Sequence, residues 1–188
     1  FKKNILPNGL SIIGEVNKSA KSAAVGFFVR TGSRDESKEV NGVSHFLEHM
    51  MFKGTKRLSS FEVNEAFDRT GAQFNAFTSE ENTVYYAAVL PEYLIEVTGL
   101  WMELMRPALR DEDFNIEKNV IKEEIAMYKD LPGHDILEKC RKLYFGDGPC
   151  GNSVLGSDES INDLTAEQMR GYFAGRYAPN NMVFACAG

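Results

Sequence analysis

Residues 72–89, AQFNAFTSEENTVYYAAV, hold the pattern that decides the fold. Residues 72–77 and 83–89 are rich in aromatic and small apolar side chains, which is typical of strands, and the polar stretch Ser79-Glu80-Glu81-Asn82 separates them. Two strands joined so closely form an antiparallel hairpin. Further strands are predicted over residues 22–29 and 181–187, so that strands come from both halves of the chain.

Helical patterns lie on both sides of this hairpin. Ser59 can cap a helix that ends at Thr70-Gly71, and a longer helix over residues 111–130 begins with acidic side chains in its first turn. Because strands occur in hairpins as well as across helices, the predicted fold class is α+β, with a mixed sheet covered by helices. A length of 188 residues fits one such domain.

Charge and hydropathy exclude two classes of function. The chain has 21 Lys and Arg residues against 27 Asp and Glu residues, a net charge of -6, which argues against binding to nucleic acid. No apolar run approaches the ~20 residues that span a bilayer, so no membrane span is predicted. The first residues also lack the apolar segment of a secretory signal.

A third helix carries the motif that points to chemistry. It is predicted to begin at Asn41 or Ser44, either of which can cap it, and to run to about residue 53. Within it stands His45-Phe46-Leu47-Glu48-His49. Residues four apart share a helix face, so the two imidazoles can reach one cation, and the glutamate can approach a metal-bound water. The pattern H-x-x-E-H is the inverzincin signature.

A catalytic zinc site needs a third protein ligand. The helix over 111–130 offers Glu117 and Glu124, which are two helical turns apart and share a face, whereas Glu123 points about 100° away. This spacing favours Glu117 and Glu124 as an inward pair, in which one is a ligand and the other orients an imidazole. For the histidine pair alone, two solvated or core histidines remain the alternative.

These segments resemble those of a known family, the pitrilysin-like inverted-zincin metallopeptidases. The likeness is closest to the processing-peptidase branch, which includes mitochondrial processing peptidase and its bacterial relatives. It starts from Gly42-Val43-Ser44-His45-Phe46-Leu47-Glu48-His49-Met50-Met51-Phe52-Lys53-Gly54-Thr55. The same order of segments continues over nearly the whole chain, in Leu6–Leu10, Thr31–Glu36, Gly71–Thr78, Tyr85-Tyr86, Glu117–Glu124 and Tyr177–Met182.

The resemblance implies roles for the residues of the motif. His45, His49 and Glu124 match the ligands of one zinc ion per chain, and Glu48 matches the general base. Glu117 matches the supporting acidic residue of the catalytic site. The expected activity is that of a zinc metalloendopeptidase, which hydrolyses peptide bonds in peptides or presequences through a water activated by the glutamate.

The resemblance also implies a substrate site and a domain organisation. Asn75, Ala76 and Phe77 match the edge strand to which a peptide adds, and Phe52 and Phe77 match the pocket for the side chain after the scissile bond. The expected fold is a two-layer domain with a mostly antiparallel sheet. Residues 1–188 then form a single N-terminal metallopeptidase domain, a fragment of a longer subunit.

The expected partners follow from the family's use of such domains in pairs. A second homologous domain or subunit is expected to complete a clamp around the substrate, and a homodimer is one such assembly. A bacterial-type cytoplasmic location is predicted, with the mitochondrial matrix as the alternative. Two rival hypotheses remain open: a non-catalytic structural or binding subunit of the same fold, and a metal other than zinc in the same site.

Overall fold

The computed structural model describes residues 1–188, and a six-stranded sheet forms its centre. The strands are β1 (Lys2–Ile5), β2 (Ser11–Glu15), β3 (Ala23–Val29), β4 (Gln73–Thr78), β5 (Thr83–Val89) and β6 (Met182–Ala187). They lie in the order β1-β2-β6-β3-β5-β4. Only β2 and β6 are parallel, and all other neighbours are antiparallel. The predicted mixed, mostly antiparallel sheet is confirmed.

Seven α-helices make the second layer. They are α1 (Val43–Met51), α2 (Ser60–Thr70), α3 (Leu94–Leu104), α4 (Asp111–Lys129), α5 (Pro132–Phe145), α6 (Asp158–Asp163) and α7 (Ala166–Arg176). The predicted helices over 59–71 and 111–130 are confirmed, including the capping box that Ser59 forms with Glu62. None of the helices combines the length and apolar character needed to cross a bilayer.

The helices cover one face of the sheet and leave the other open. Alternate strand residues such as Phe27 and Tyr85 are buried in one apolar core with helix residues such as Phe46 and Trp101. The residues between them point to the opposite face, where Phe28 and Tyr86 are exposed. This two-layer arrangement confirms the α+β fold class.

Helix α1 crosses the core under strand β4. Phe46, Leu47 and Met50 are fully buried, so their face of the helix is held against the sheet and α4. The prediction that Asn41 or Ser44 caps this helix is wrong. Gly42 stands at the N-cap with a φ of 94° and, having no side chain, accepts no hydrogen bond from the first N–H groups of the helix. A Cβ there would come within 2.8 Å of the Leu155 carbonyl oxygen, so only glycine fits.

Candidate metal centre

Three side chains from α1 and α4 converge at one point. The Nε2 atoms of His45 and His49 lie 3.7 Å and 3.3 Å from the Oε2 atom of Glu124. One nitrogen or oxygen atom from each residue lies within 4.8 Å of the other two. The two imidazoles are a helical turn apart, with ring centroids separated by 4.6 Å, as the four-residue spacing predicts. The residues that the sequence nominated as ligands are thus brought together.

The donor set has the chemistry and spacing that zinc prefers. Tetrahedral ligands about 2.0–2.1 Å from zinc lie about 3.4 Å from one another, close to the separations of Glu124 Oε2 from the two imidazoles. Two imidazole nitrogens and one carboxylate oxygen also match the three protein ligands of several catalytic zinc sites, which leave a fourth position open. The residues present therefore fit a zinc ion.

Glu117 binds the far side of one imidazole. Its Oε1 atom lies 2.8 Å from Nδ1 of His49, and its Oε2 atom lies 2.5 Å from Nζ of Lys53 in an ion pair. The side chain is almost fully buried. When zinc is bound, Nδ1 of His49 would donate to this carboxylate and leave the lone pair of Nε2 for the metal. Burial raises the pKa of Glu117, but the bonds from His49 and Lys53 outweigh it and the pKa lies below its usual range.

The two histidines differ in charge. Burial lowers the pKa of His45 to about 4, with repulsion from His49 as a further cause, so this imidazole is neutral at pH 7. Burial also opposes charge on His49, but hydrogen bonds with Glu117 and Glu124 raise the pKa of His49 to about 9. The carboxylates that favour a proton on His49 create a negative site, which also favours a divalent cation.

Glu48 lies beside this cluster without belonging to it. Its Oε2 atom accepts a hydrogen bond of 2.6 Å from Oγ1 of Thr78 on β4. Burial raises the pKa of Glu48, and the hydrogen bond from Thr78 lowers it by less. A carboxylate with a raised pKa, held at one oxygen, is suited to take a proton at the other oxygen.

The cluster opens into a cavity of about 440 Å³ between β4 and α5. His45, Glu48, His49 and Glu124 line its floor, and Ala76, Phe77 and Thr78 line one wall. Strand β4 is an edge of the sheet, so one side of its backbone is unpaired along this wall. On the opposite wall Arg141 of α5 forms an ion pair of 2.7 Å with Glu80 in the β4–β5 turn.

Two of the predicted substrate residues do not line this cavity. Phe52 packs its ring against Phe74, Tyr85 and Trp101, at centroid distances of 6.0, 6.5 and 6.0 Å, and so contributes to the core. Asn75 is exposed on β4, where alternation turns it to the face opposite Ala76. Phe77 lines the cavity and is half exposed.

Three contacts of the site were missed by reasoning from the sequence. They are made by Thr78, Lys53 and Arg141. For Thr78 a signal existed, because period-two alternation places it on the same face of β4 as Ala76. The contact of Lys53 with Glu117 joins residues 64 positions apart, and no local sequence pattern predicts it.

Comparison with known proteins defines the family. The model of the insulinase family, peptidase family M16, matches residues 11–158. The chain belongs to this family of metallopeptidases, and the resemblance to pitrilysin-like processing peptidases is confirmed.

Among the relatives, the uncharacterized zinc protease YmxG of Bacillus subtilis is 41% identical over the whole chain, which spans 46% of that protein. A probable mitochondrial-processing peptidase subunit beta of Arabidopsis thaliana is 36% identical over 97% of the chain and 35% of its own length. The chain therefore spans half or less of the length of these relatives.

Solved structures agree with the fold. A protease from Helicobacter pylori superposes with a TM-score of 0.94 at 26% identity, over 98% of this chain and 45% of that one. A putative M16-like peptidase from Alicyclobacillus acidocaldarius gives a TM-score of 0.92 at 26% identity, over the whole chain and 45% of the other.

Proposed function

We propose that this chain is the metal-binding half of a zinc metalloendopeptidase, with His45, His49 and Glu124 as the ligands. The observation that carries the proposal is the convergence of two Nε2 atoms and one carboxylate oxygen on a single point beside Glu48. The zinc protease named among the relatives supports the choice of metal. Zinc, when bound, supplies a water of lowered pKa and polarises a carbonyl group.

The residues around this point have different roles in the proposed reaction. Thr78 donates to Oε2 of Glu48 and leaves Oε1 free, so we assign Oε1 as the atom that takes the proton of the attacking water. The same oxygen then returns a proton to the leaving amine nitrogen. Glu117 holds Nδ1 of His49 and fixes the orientation of that ring.

The substrate is proposed to be a peptide in an extended conformation. Because β4 is an edge strand that runs along the cavity wall, its unpaired backbone groups can add a peptide strand through Asn75–Phe77. Half-exposed Phe77 offers an apolar contact to a substrate side chain. Phe52 contributes through the packing of the core behind this strand rather than by direct contact.

We further propose that a second homologous domain or subunit closes over the open side of the cavity. The relatives are about twice as long as this chain, which is consistent with a second half that makes a clamp. The assembly as a homodimer and the cytoplasmic location stay predictions.

Glu48→Gln in the full-length protein tests the assignment of the base. The amide cannot accept a proton, so peptide cleavage is expected to fall by roughly 10²–10⁴-fold while bound zinc stays near one equivalent. Cleavage is measured with a fluorogenic peptide and zinc by elemental analysis. Glu123→Gln, an exposed carboxylate on α4, is the matched control and should leave both values unchanged. Undiminished cleavage in Glu48→Gln would refute the role.

The rival function is a non-catalytic subunit of the same fold. A domain from Pseudomonas fluorescens described as an inactive peptidase M16 domain superposes with a TM-score of 0.90 at 19% identity, so the fold alone does not imply catalysis. In this chain every position of the proposed site carries a side chain of the required chemistry. If the full-length protein binds zinc and cleaves no peptide, the rival is favoured.

A further inference from the structure

The buried carboxylate of Glu36 lies at the N-terminus of helix α1. Its Oε2 atom accepts a hydrogen bond of 2.7 Å from the backbone N–H of Gly42, and its Oε1 atom accepts one of 2.8 Å from the backbone N–H of Ser44. Glu36 is only 5% exposed. The first N–H groups of a helix have no partner within the helix, and Gly42 provides no side-chain cap. The carboxylate of Glu36 takes the place of that cap.

A third donor ties this cap to a distant loop. Nδ2 of Asn41 donates to Oε2 of Glu36 at 3.0 Å and to the carbonyl oxygen of Ser153 at 3.1 Å. The carbonyl oxygen of Asn41 in turn accepts from Oγ of Ser160, at the start of α6. The start of α1 is therefore joined to the segment 153–160 as well as to Glu36.

The partners of Glu36 suit an anion held at a helix start. A carboxylate taken out of water is costly unless hydrogen bonds compensate it, and burial raises the pKa of Glu36. Its partners are uncharged N–H donors rather than a cation. The partial positive charge at the N-terminus of α1 adds to their effect. Such an arrangement compensates the charge of Glu36 and also fixes the direction of the first turn of α1, since two backbone N–H groups must point at the two carboxylate oxygens at once.

The cap that Glu36 forms affects the metal centre because the capped residues lie close to His45 and His49 along α1. Ser44, one of the two anchored residues, directly precedes His45, and His49 lies one turn further on. A rotation of α1 by one residue turns every side chain by about 100°. Such a rotation would carry both imidazoles away from Glu124, which is fixed on another helix.

We propose that Glu36 is a positioning residue that sets the rotation and start of α1, and thereby holds His45 and His49 in register with Glu124. The inference rests on the proposed zinc site. Glu36 itself touches neither a candidate ligand nor the substrate cavity. A cap with a merely structural role would lower the stability of the whole domain and leave the metal affinity of the folded protein unchanged.

The test is the zinc affinity of the folded full-length protein carrying Glu36→Gln, measured by competition with a chelator. The amide can accept at one oxygen only and turns an NH₂ group towards the other backbone donor. We expect the zinc dissociation constant to rise about tenfold, the lower end of the effect of losing an outer partner of a metal ligand. Zinc binding equal to that of the wild type overturns the proposal.

Glu62→Ala is the control. Glu62 caps α2 by accepting from the Ser59 N–H at 2.8 Å, and α2 carries no candidate ligand. This variant removes the acceptor, so it should lose thermal stability and keep the zinc affinity of the wild type. An equal loss of zinc affinity in Glu62→Ala would show that general loosening suffices, and would also overturn the proposal.

A milder variant covers the case in which Glu36→Gln does not fold. Asn41→Ala removes one of the three donors to Glu36 and leaves both backbone bonds in place. A smaller rise of the zinc dissociation constant supports the positioning role, and no rise contradicts it. If the wild-type protein itself binds no zinc, the proposed function fails, whereas normal zinc binding in all variants removes only the role of Glu36.

Discussion

Helices α1 and α4 supply the candidate metal centre in different ways. Helix α1 is nine residues long, is buried over most of its length and places His45, Glu48 and His49 within five positions. Helix α4 is nineteen residues long, is amphipathic and contributes Glu117 and Glu124 seven positions apart. The two histidines owe their proximity to one turn of helix, whereas each carboxylate reaches its histidine only because α4 packs against α1. The distance between the two histidines is therefore set by local helix geometry, whereas the distances from the carboxylates to the histidines depend on the packing of the core.

The largest effect on zinc affinity is expected for Glu124, the third proposed ligand, which α4 supplies. Glu124→Gln replaces an anionic oxygen donor with a neutral amide, so zinc binding should weaken by more than the roughly 100-fold that loss of an outer partner costs. Chelator competition measures the change. Glu123→Gln, next in sequence but exposed and off the shared face, should bind zinc as the wild type does. Equal affinities of the two variants would remove Glu124 from the ligand set.

A smaller effect is expected two turns earlier on α4. Glu117→Gln keeps an oxygen that can accept from Nδ1 of His49 but removes the charge that faces His49 and Lys53. Zinc affinity should fall by roughly 10- to 100-fold, less than for Glu124→Gln. The ratio of the two dissociation constants tests which carboxylate contacts the metal. A larger loss in Glu117→Gln would reverse the two assignments.

The two histidines of α1 should contribute differently to the pH dependence of zinc affinity. Zinc must displace a proton from Nε2 of His49, whose pKa is raised to about 9 by Glu117 and Glu124, whereas His45, with a pKa of about 4, is already neutral above pH 5. One proton is therefore released per zinc ion below pH 9. Affinity should rise about tenfold per pH unit from pH 6 to 9 and then level off. A plateau that begins near pH 6.5 would contradict the raised pKa of His49.

The smallest effect concerns the contact that α1 makes with β4. Thr78→Val removes the hydroxyl that donates to Glu48 and keeps the shape of the side chain. The kcat for peptide cleavage should fall by about tenfold, since one hydrogen bond to a charged group contributes about 1.5 kcal/mol or more, with zinc content and KM unchanged. Thr78→Ser, which retains the hydroxyl, should restore most of the loss. A KM effect alone would indicate that Thr78 serves substrate binding instead.

Features that depend on neighbours in sequence could be predicted, and features that depend on packing could not. The hairpin of β4 and β5, the capping box of Ser59 and the length of α4 follow from local patterns. The spacing of His45 and His49 required only helix geometry. By contrast, Glu36 caps α1 from outside the helix and across a loop, so the sequence pointed to Asn41 or Ser44 instead.

The candidate site shows the same division. Glu117 and Glu124 were recognised as an inward pair from their spacing, but the spacing left open which of them faces the metal. In the structure Glu117 meets Nδ1 of His49 and Glu124 meets Nε2, which favours the proposed assignment of Glu124 as the ligand. The burial of Phe52 behind β4 depends on three aromatic neighbours from different elements, which a motif does not encode.

The position of β6 has a consequence for the order in which the domain can assemble. The hairpin of β1 and β2 joins the rest of the sheet only through β6, which pairs with β2 on one side and β3 on the other. On the ribosome, where the chain emerges from its N-terminus, residues 1–15 must wait for residues 182–187 before they gain a place in the sheet. The hairpin of β1 and β2 therefore joins the sheet no earlier than β6 does.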